Sequence, residues 1–122
     1  MNQRSRRRAL RLGLRAETIA VLLLRLKGWQ ILARRFNVPG GEVDIIARRG
    51  GVVAFVEVKA RATPEAALAA IDGVKRHRLR LAARRWLIGK DWALACVLRC
   101  DAILVMPRRL PQHVTDIGSL EI

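Results

Sequence analysis

Acidic side chains are scarce in this chain. Ten Asp and Glu stand against 24 Lys and Arg among 122 residues, giving a formal net charge of +14 and a pI near 11.7. A surplus of that size repels itself and favours a polyanionic partner, nucleic acid ahead of an anionic membrane. For any single arginine, a solvated basic surface is the plainer explanation. Cysteine is scarcer still. Cys96 and Cys100 fit no zinc-ligand spacing, and the two histidines complete none, so both read as reduced, partly buried thiols. Long apolar runs are missing as well. The basic start followed by Ile19–Leu24 mimics a secretion signal, but the run is too short, Glu17 and Arg25 bracket it, and no small-residue cleavage site follows. No membrane span and a cytoplasmic location are therefore expected. Repeats, low-complexity blocks and linkers are absent, and the length suits one domain.

What is present falls into a clear order. Residues 1–11 read as a basic flexible arm, and 12–122 as the single folded domain. Leu14, Ile19, Leu22, Leu23 and Leu26 recur at helical spacing, with Gly28 as the stop. Trp29–Phe36 reads as a strand, and Asn37–Gly41 as a turn. Glu42–Ala47 and Val52–Val58 flank Arg48–Gly51 as the arms of a β-hairpin. Thr63, Pro64 and Glu65 mark a helix entry, with a capping hydroxyl, proline at the first helical position and an early acid. A short helix over Pro64–Ile71 follows, then a longer one over Val74–Leu87. Leu79, Ala82, Ala83, Trp86 and Leu87 form the buried side of the longer helix. Trp92–Met106 is predicted to hold another strand that Pro107 ends, and His113–Ile122 a weakly specified edge strand. Trp29, Trp86 and Trp92 sit in apolar patterns that favour the core. One helix, three strands, two helices and one or two strands predict an α/β/α sandwich with a central mixed β-sheet.

The placement of the few acids carries the chemistry. The first 64 positions hold only Glu17, Glu42, Asp44 and Glu57, and three of these lie in the hairpin. Side chains alternate along a strand, so Glu57 and Lys59 share a face with Phe55. With the turn centred on Arg49–Gly50, Asp44 lies opposite Phe55 and diagonal to Glu57, near enough for the two carboxylates to share a cation. Glu57 stands in VVAFVEVKA, a run apolar enough to be interior, where a charge costs several kcal/mol unless paired or metal-bound. A Glu57–Lys59 ion pair is a structural resolution, and Glu17 by itself reads as a helix-end charge or an arginine partner. Asp101 reads as a buried partner of Lys59 or an arginine.

Asp44 followed after twelve residues by Glu57-Val58-Lys59 resembles the PD-(D/E)xK nuclease motif, with Val43 in place of the proline. More specifically, the chain is similar to the YraN-like family of predicted endonucleases. The likeness runs through Glu17-x-x-Ala20, Gly28, Gly41-Glu42-Val43-Asp44-Ile45-Ile46-Ala47, Phe55-Val56-Glu57-Val58-Lys59-Ala60-Arg61, the Lys75 helix and Arg99-Cys100-Asp101-Ala102-Ile103. It departs at Ala16, where a glycine usually stands, and at Cys100, which replaces a typical phenylalanine. The resemblance implies a restriction-endonuclease-like fold related to archaeal Holliday junction resolvases. It implies a metal-dependent DNA endonuclease acting on branched or otherwise structured DNA, with Glu17, Asp44, Glu57 and Lys59 as the catalytic set. Asp44, Glu57 and the main-chain carbonyl of Val58 would hold Mg²⁺ or Mn²⁺, with Glu17 in the outer shell or on a second ion and Glu42 in support. Lys75, Arg76, Arg78 and Arg61 would contact phosphates, and a homodimer would follow from resolvases that cut two strands. The rival expectation is a basic nucleic-acid-binding module without turnover, or a subunit active only with a partner.

Overall fold

The computed structural model of the protein describes residues 2–120, apart from the side chains of 8–14 and 119. Asn2 caps the first helix, α1 (Gln3–Leu26), its side chain accepting the Ser5 N–H at 2.8 Å. Residues 3–11, expected as an arm, are thus helical. Their arginines, leucine and alanine are strong helix formers that extend the turn the cap begins. The buried stripe of α1 is Ala16, Glu17, Ala20, Val21 and Leu24, and the small alanines let the helix lie close on the sheet. Of the apolar set expected to face inward, Ile19, Leu22 and Leu26 are instead exposed. Leu14 lies outside the residues whose side chains are described.

Strands β1 (Gln30–Val38), β2 (Gly41–Arg49) and β3 (Val52–Ala60) form an antiparallel meander. Pro39 and Gly40 make the first turn, with Gly40 at φ +81°, the proline-then-glycine pattern of a type II turn. The second turn is Gly50–Gly51, with Gly50 at φ +58°. It sits one residue later than the Arg49–Gly50 centre expected, because its first position requires a left-handed backbone that glycine adopts without strain. This slides the register so that Ile45 faces Val56 and Ile46 faces Phe55.

The chain then crosses over through α2 (Pro64–Ala69), α3 (Gly73–Leu87) and the short α4 (Asp91–Leu94) to β4 (Val97–Val105), which lies parallel to β3. β5 (Gln112–Ser119) returns antiparallel on the outer edge of β4. The Thr63 hydroxyl accepts the Ala66 N–H at 3.1 Å and the Asp72 carboxylate accepts the Lys75 N–H at 2.9 Å, so both longer crossover helices have side-chain caps. Trp92, expected in a strand, belongs to α4. It is 42% exposed, edge-on to the buried Trp86 at 6.1 Å on one side and with the Arg48 guanidinium 4.9 Å above its ring, so it covers the core rather than filling it. Glu121 and Ile122 of the expected last strand lie outside the described residues.

The sheet order β1-β2-β3-β4-β5 gives a mixed sheet with helices on both faces, an α/β sandwich. Beneath α1, Ala20, Val21 and Leu24 pack with Trp29, Ile45, Val56 and Ile103. Beneath α3, Leu79, Ala82, Ala83, Trp86 and Leu87 are buried as expected, with Phe55 edge-on to Trp86 at 5.8 Å. Gly41 sets how closely α3 approaches β2. A Cβ there would stand 2.7 Å from the Arg78 carbonyl oxygen and 3.0 Å from the Ala82 nitrogen, both rigid backbone atoms. Gly41→Ala should therefore cost about 1–3 kcal/mol through overpacking. Gly51→Ala, with nothing within 4 Å, should cost well under half of that. Urea denaturation of the two variants checks the difference, and equal losses would contradict the contact.

Candidate functional site

Register alone brings two carboxylates together. The last paired residues between β2 and β3 at this end are Ile45 and Val56, and continuing the count sets Asp44 across from Glu57. The sequence had placed Asp44 diagonal to Glu57. The later turn moves the partner of Asp44 two residues along β3, from Phe55 to Glu57, which makes Glu57 a direct neighbour and keeps the face. Beyond that pair the Val58 N–H donates to the Asp44 carboxylate at 2.8 Å. A side chain thus takes a bond that a backbone carbonyl takes in a regular ladder, and it fixes Asp44 against β3.

Glu57 is only 3% exposed, and its one ion-pair partner among the described residues is Lys59, 3.3 Å away on the same strand. Burial, and next the charge of Asp44, push the Glu57 carboxyl up to about 7 despite the attraction of Lys59. Asp44 is raised as well, by burial first and by the charges of Glu17 and Glu42. The Val58 N–H and Lys59 pull the other way without prevailing. The pair is therefore two oxygen-bearing acids sharing one lysine, with negative charge left uncompensated. Among the described residues no three His, Cys, Asp or Glu side chains form a ready metal cage.

Other expected residues distribute less simply. Glu17 is buried on α1, and its carboxylate is clamped by Arg34 Nε at 3.1 Å and Arg35 Nε at 3.0 Å. Its charge reaches Asp44, but its hydrogen bonds go to β1. Arg35 holds this position with a left-handed backbone, φ +51°. Glu42 lies 3.9 Å from Lys75 Nζ, so the start of α3 stands beside the start of β2. Arg76 points inward. Its Nε donates to the Ile71 carbonyl at 3.1 Å and its guanidinium to the Ile117 carbonyl at 2.7 Å, bracing α3 to β5. That engagement commits two of the five guanidinium N–H donors of Arg76 inward. Arg78 is half-buried, and Arg61 is exposed at the end of β3.

A second polar cluster surrounds Asp101, which is fully buried and paired with an arginine as expected; its histidine is what sequence reasoning missed. Arg99 holds it with two hydrogen bonds, at 2.8 and 2.9 Å, His113 Nε2 stands 2.8 Å away, and the Asp116 N–H donates at 3.0 Å. Burial alone would raise the Asp101 pKa, but the bonds from His113, Arg99 and Asp116 outweigh it and hold the carboxyl below its ordinary value. Lys27 Nζ reaches His113 Nδ1 at 2.6 Å, so the imidazole accepts there and donates from Nε2. The signal for Arg99 was present, since residues two apart on a strand share a face. The signal for His113 was not, because it depends on where β5 docks.

Among the described residues no helix is long and apolar enough to cross a membrane. A model of the uncharacterised protein family UPF0102 matches residues 16–105. The UPF0102 protein of Methylorubrum populi is 56% identical over 104 residues, covering 85% of this chain and 83% of its own. That of Methylorubrum extorquens is 53% identical over 109 residues, covering 89% and 85%. That of Methylobacterium nodulans is 52% identical over 117 residues, covering 95% and 91%.

The raised Glu57 fixes a pH dependence. Between its ordinary 4.5 and about 7, the folded chain keeps a proton that the unfolded chain has released. The Glu57 contribution to stability is therefore lost as pH rises through that window. Glu57→Gln, without that titration, should gain on the order of 1–3 kcal/mol on wild type between about pH 5 and pH 8. Chemical denaturation of both proteins in EDTA measures it. Parallel pH profiles would show that Glu57 is not raised.

Proposed function

The chain belongs to the uncharacterised protein family UPF0102, the YraN-like family its motifs resemble, and we propose that it is a metal-dependent DNA endonuclease of the PD-(D/E)xK type. One observation carries the reading. Asp44 and Glu57 are set across from one another, partly desolvated, with a single lysine that pairs with Glu57 and attracts Asp44. Hard oxygen donors bearing excess negative charge suit Mg²⁺ or Mn²⁺, which keeps several waters and needs only one or two carboxylates from the protein. Asp44, Glu57 and the Val58 carbonyl fit that donor set. The carbonyl leaves the strand on the same side as the N–H that meets Asp44. Bound there, the cation supplies Lewis acidity toward the scissile phosphate and lowers the pKa of a water.

The chain's own groups do the remaining work. The Val58 N–H keeps Asp44 in one orientation, so its free oxygen is aimed before substrate arrives. Lys59, with 16% of its side chain exposed, holds Glu57 and presents a cation to the charge that grows on the phosphate. In the reaction a water oxygen bonds to phosphorus, the bond from phosphorus to the leaving sugar oxygen breaks, and a proton ends on that oxygen. Glu17 acts as a positioning residue: it fixes Arg34 and Arg35 beside the site and adds negative potential at Asp44. Lys75, Arg78 and Arg61 supply phosphate contacts that carry no sequence information.

A second reading has an observation of its own. The Glu57–Lys59 pair neutralises one acid without any metal, as a basic nucleic-acid-binding module without turnover would require. Cleavage assays separate the two. Labelled four-way junction, flap, duplex and single strand are incubated with Mg²⁺, Mn²⁺ or EDTA. Wild type should cut at least one substrate only with metal. Lys59→Ala should lower the rate about 10²–10³-fold, the scale of one lost charge-stabilising group, and Glu57→Ala should abolish cutting while binding persists. Binding by all three proteins with no metal-dependent cutting would establish the binding module.

A further inference from the structure

A cavity of about 570 Å³ opens between α1 and the turn that follows β4. Its floor is apolar, from Ile19, Ala60 and Met106, and four arginines rim it: Arg15, Arg61, Arg108 and Arg109. None of these four pairs with a carboxylate among the described residues. The cavity lies on the α1 face of the sheet, whereas Glu57 and Lys59 share the α3 face with Phe55, so cavity and site meet only around the sheet's margin at Arg61. Ala60 and Arg61 directly follow Lys59, and Ala16, also in the lining, directly precedes Glu17. The Arg61 N–H donates to the Val105 carbonyl at 3.1 Å, which ties this wall to the end of β4.

We infer that this cavity receives an unpaired nucleotide at a single-stranded tail or flap of the nucleic acid engaged by the site. The inference rests on the nuclease reading for its substrate. An apolar floor suits the face of a base, which has no hydrogen bonds to satisfy, while planar guanidinium groups stack on bases and hold phosphates bidentately. The volume lies within the range of pockets that enclose a group of nucleotide size. A base inside a duplex is stacked and paired, so it cannot present its face to a concave site. The occupant must therefore be unpaired. A strand seated there meets Arg61 at the end of β3 and reaches Lys59 by rounding that margin of the sheet. The pocket contains no aromatic platform, so its grip depends on the aliphatic floor and the arginines together.

The test is equilibrium binding in EDTA, where nothing is cut. Fluorescence anisotropy compares a blunt duplex with the same duplex carrying a short single-stranded tail. Guanidinium contacts to the base and to its phosphates should make wild type prefer the tailed duplex about 10-fold. Ile19→Glu places a carboxylate in the floor from a position already 38% exposed, so the fold tolerates it, and the preference should fall toward unity. Leu22→Glu makes the same charge change at a 54% exposed position outside the cavity and should keep the preference. Equal affinity of wild type for both duplexes would overturn the inference, as would equal loss of preference in both variants. Tail preference without metal-dependent cutting would sink only the nuclease reading; cutting without tail preference would sink only the pocket.

Discussion

Everything at the candidate site depends on one hydrogen bond, from the Val58 N–H to the Asp44 carboxylate at 2.8 Å. It occurs where the regular pairing of β2 and β3 has ended at Ile45 and Val56. A backbone donor left without a partner inside a sandwich costs as much as a lost hydrogen bond, so something must accept from Val58. Asp44 does, and in doing so it stands beside Glu57. The site is thus not added to the fold. It is how the fold satisfies its own backbone at the end of a ladder.

Three buried acids receive three different settlements. Glu17 has two arginines. Asp101 has an arginine, a histidine and a backbone N–H, and its pKa is held low. Glu57 shares one lysine with Asp44, and its pKa is pushed up to about 7. Burial raises both Asp101 and Glu57, so the number of compensating donors decides which of the two ends low and which high. A chain with 24 basic residues has no shortage of cations to supply. The deficit at Asp44 and Glu57 is therefore local and specific, whereas the other two acids behave as structural ion pairs.

Much of this was legible in the sequence. The two turns were marked by glycine, α2 by Thr63 and Pro64, and the buried side of α3 by its 3.6-residue period. Strand alternation placed Glu57 and Lys59 together. What remained hidden depended on packing. The inward face of α1 was misjudged because Ala16, Ala20, Val21 and Leu24 meet the sheet, while Ile19, Leu22 and Leu26 do not. The register was misjudged because Gly50 and Gly51, rather than Arg49 and Gly50, make the turn, and no local pattern separates those choices sharply. Trp92 was misjudged because a single exposed helical turn can hold an aromatic residue under an arginine. The partners of Glu17 come from β1 and that of Arg76 from β5, contacts that no spacing along the chain announces.

The left-handed backbone of Arg35 has a counterpart on the far side of the molecule. β1 and β5 are the two outer strands, and each is interrupted by one non-glycine residue of positive φ, Arg35 at +51° and Asp116 at +59°. The ladders β1–β2 and β4–β5 each carry a register shift as well. A straight outer strand offers a row of unsatisfied N–H and C=O groups on which another chain can build, the route to fibrils and to runaway assembly. Here both rows are broken. The sheet closes at five strands by the shape of its margins, and copies of the chain meeting at high local density find no straight outer strand on which to join edge to edge.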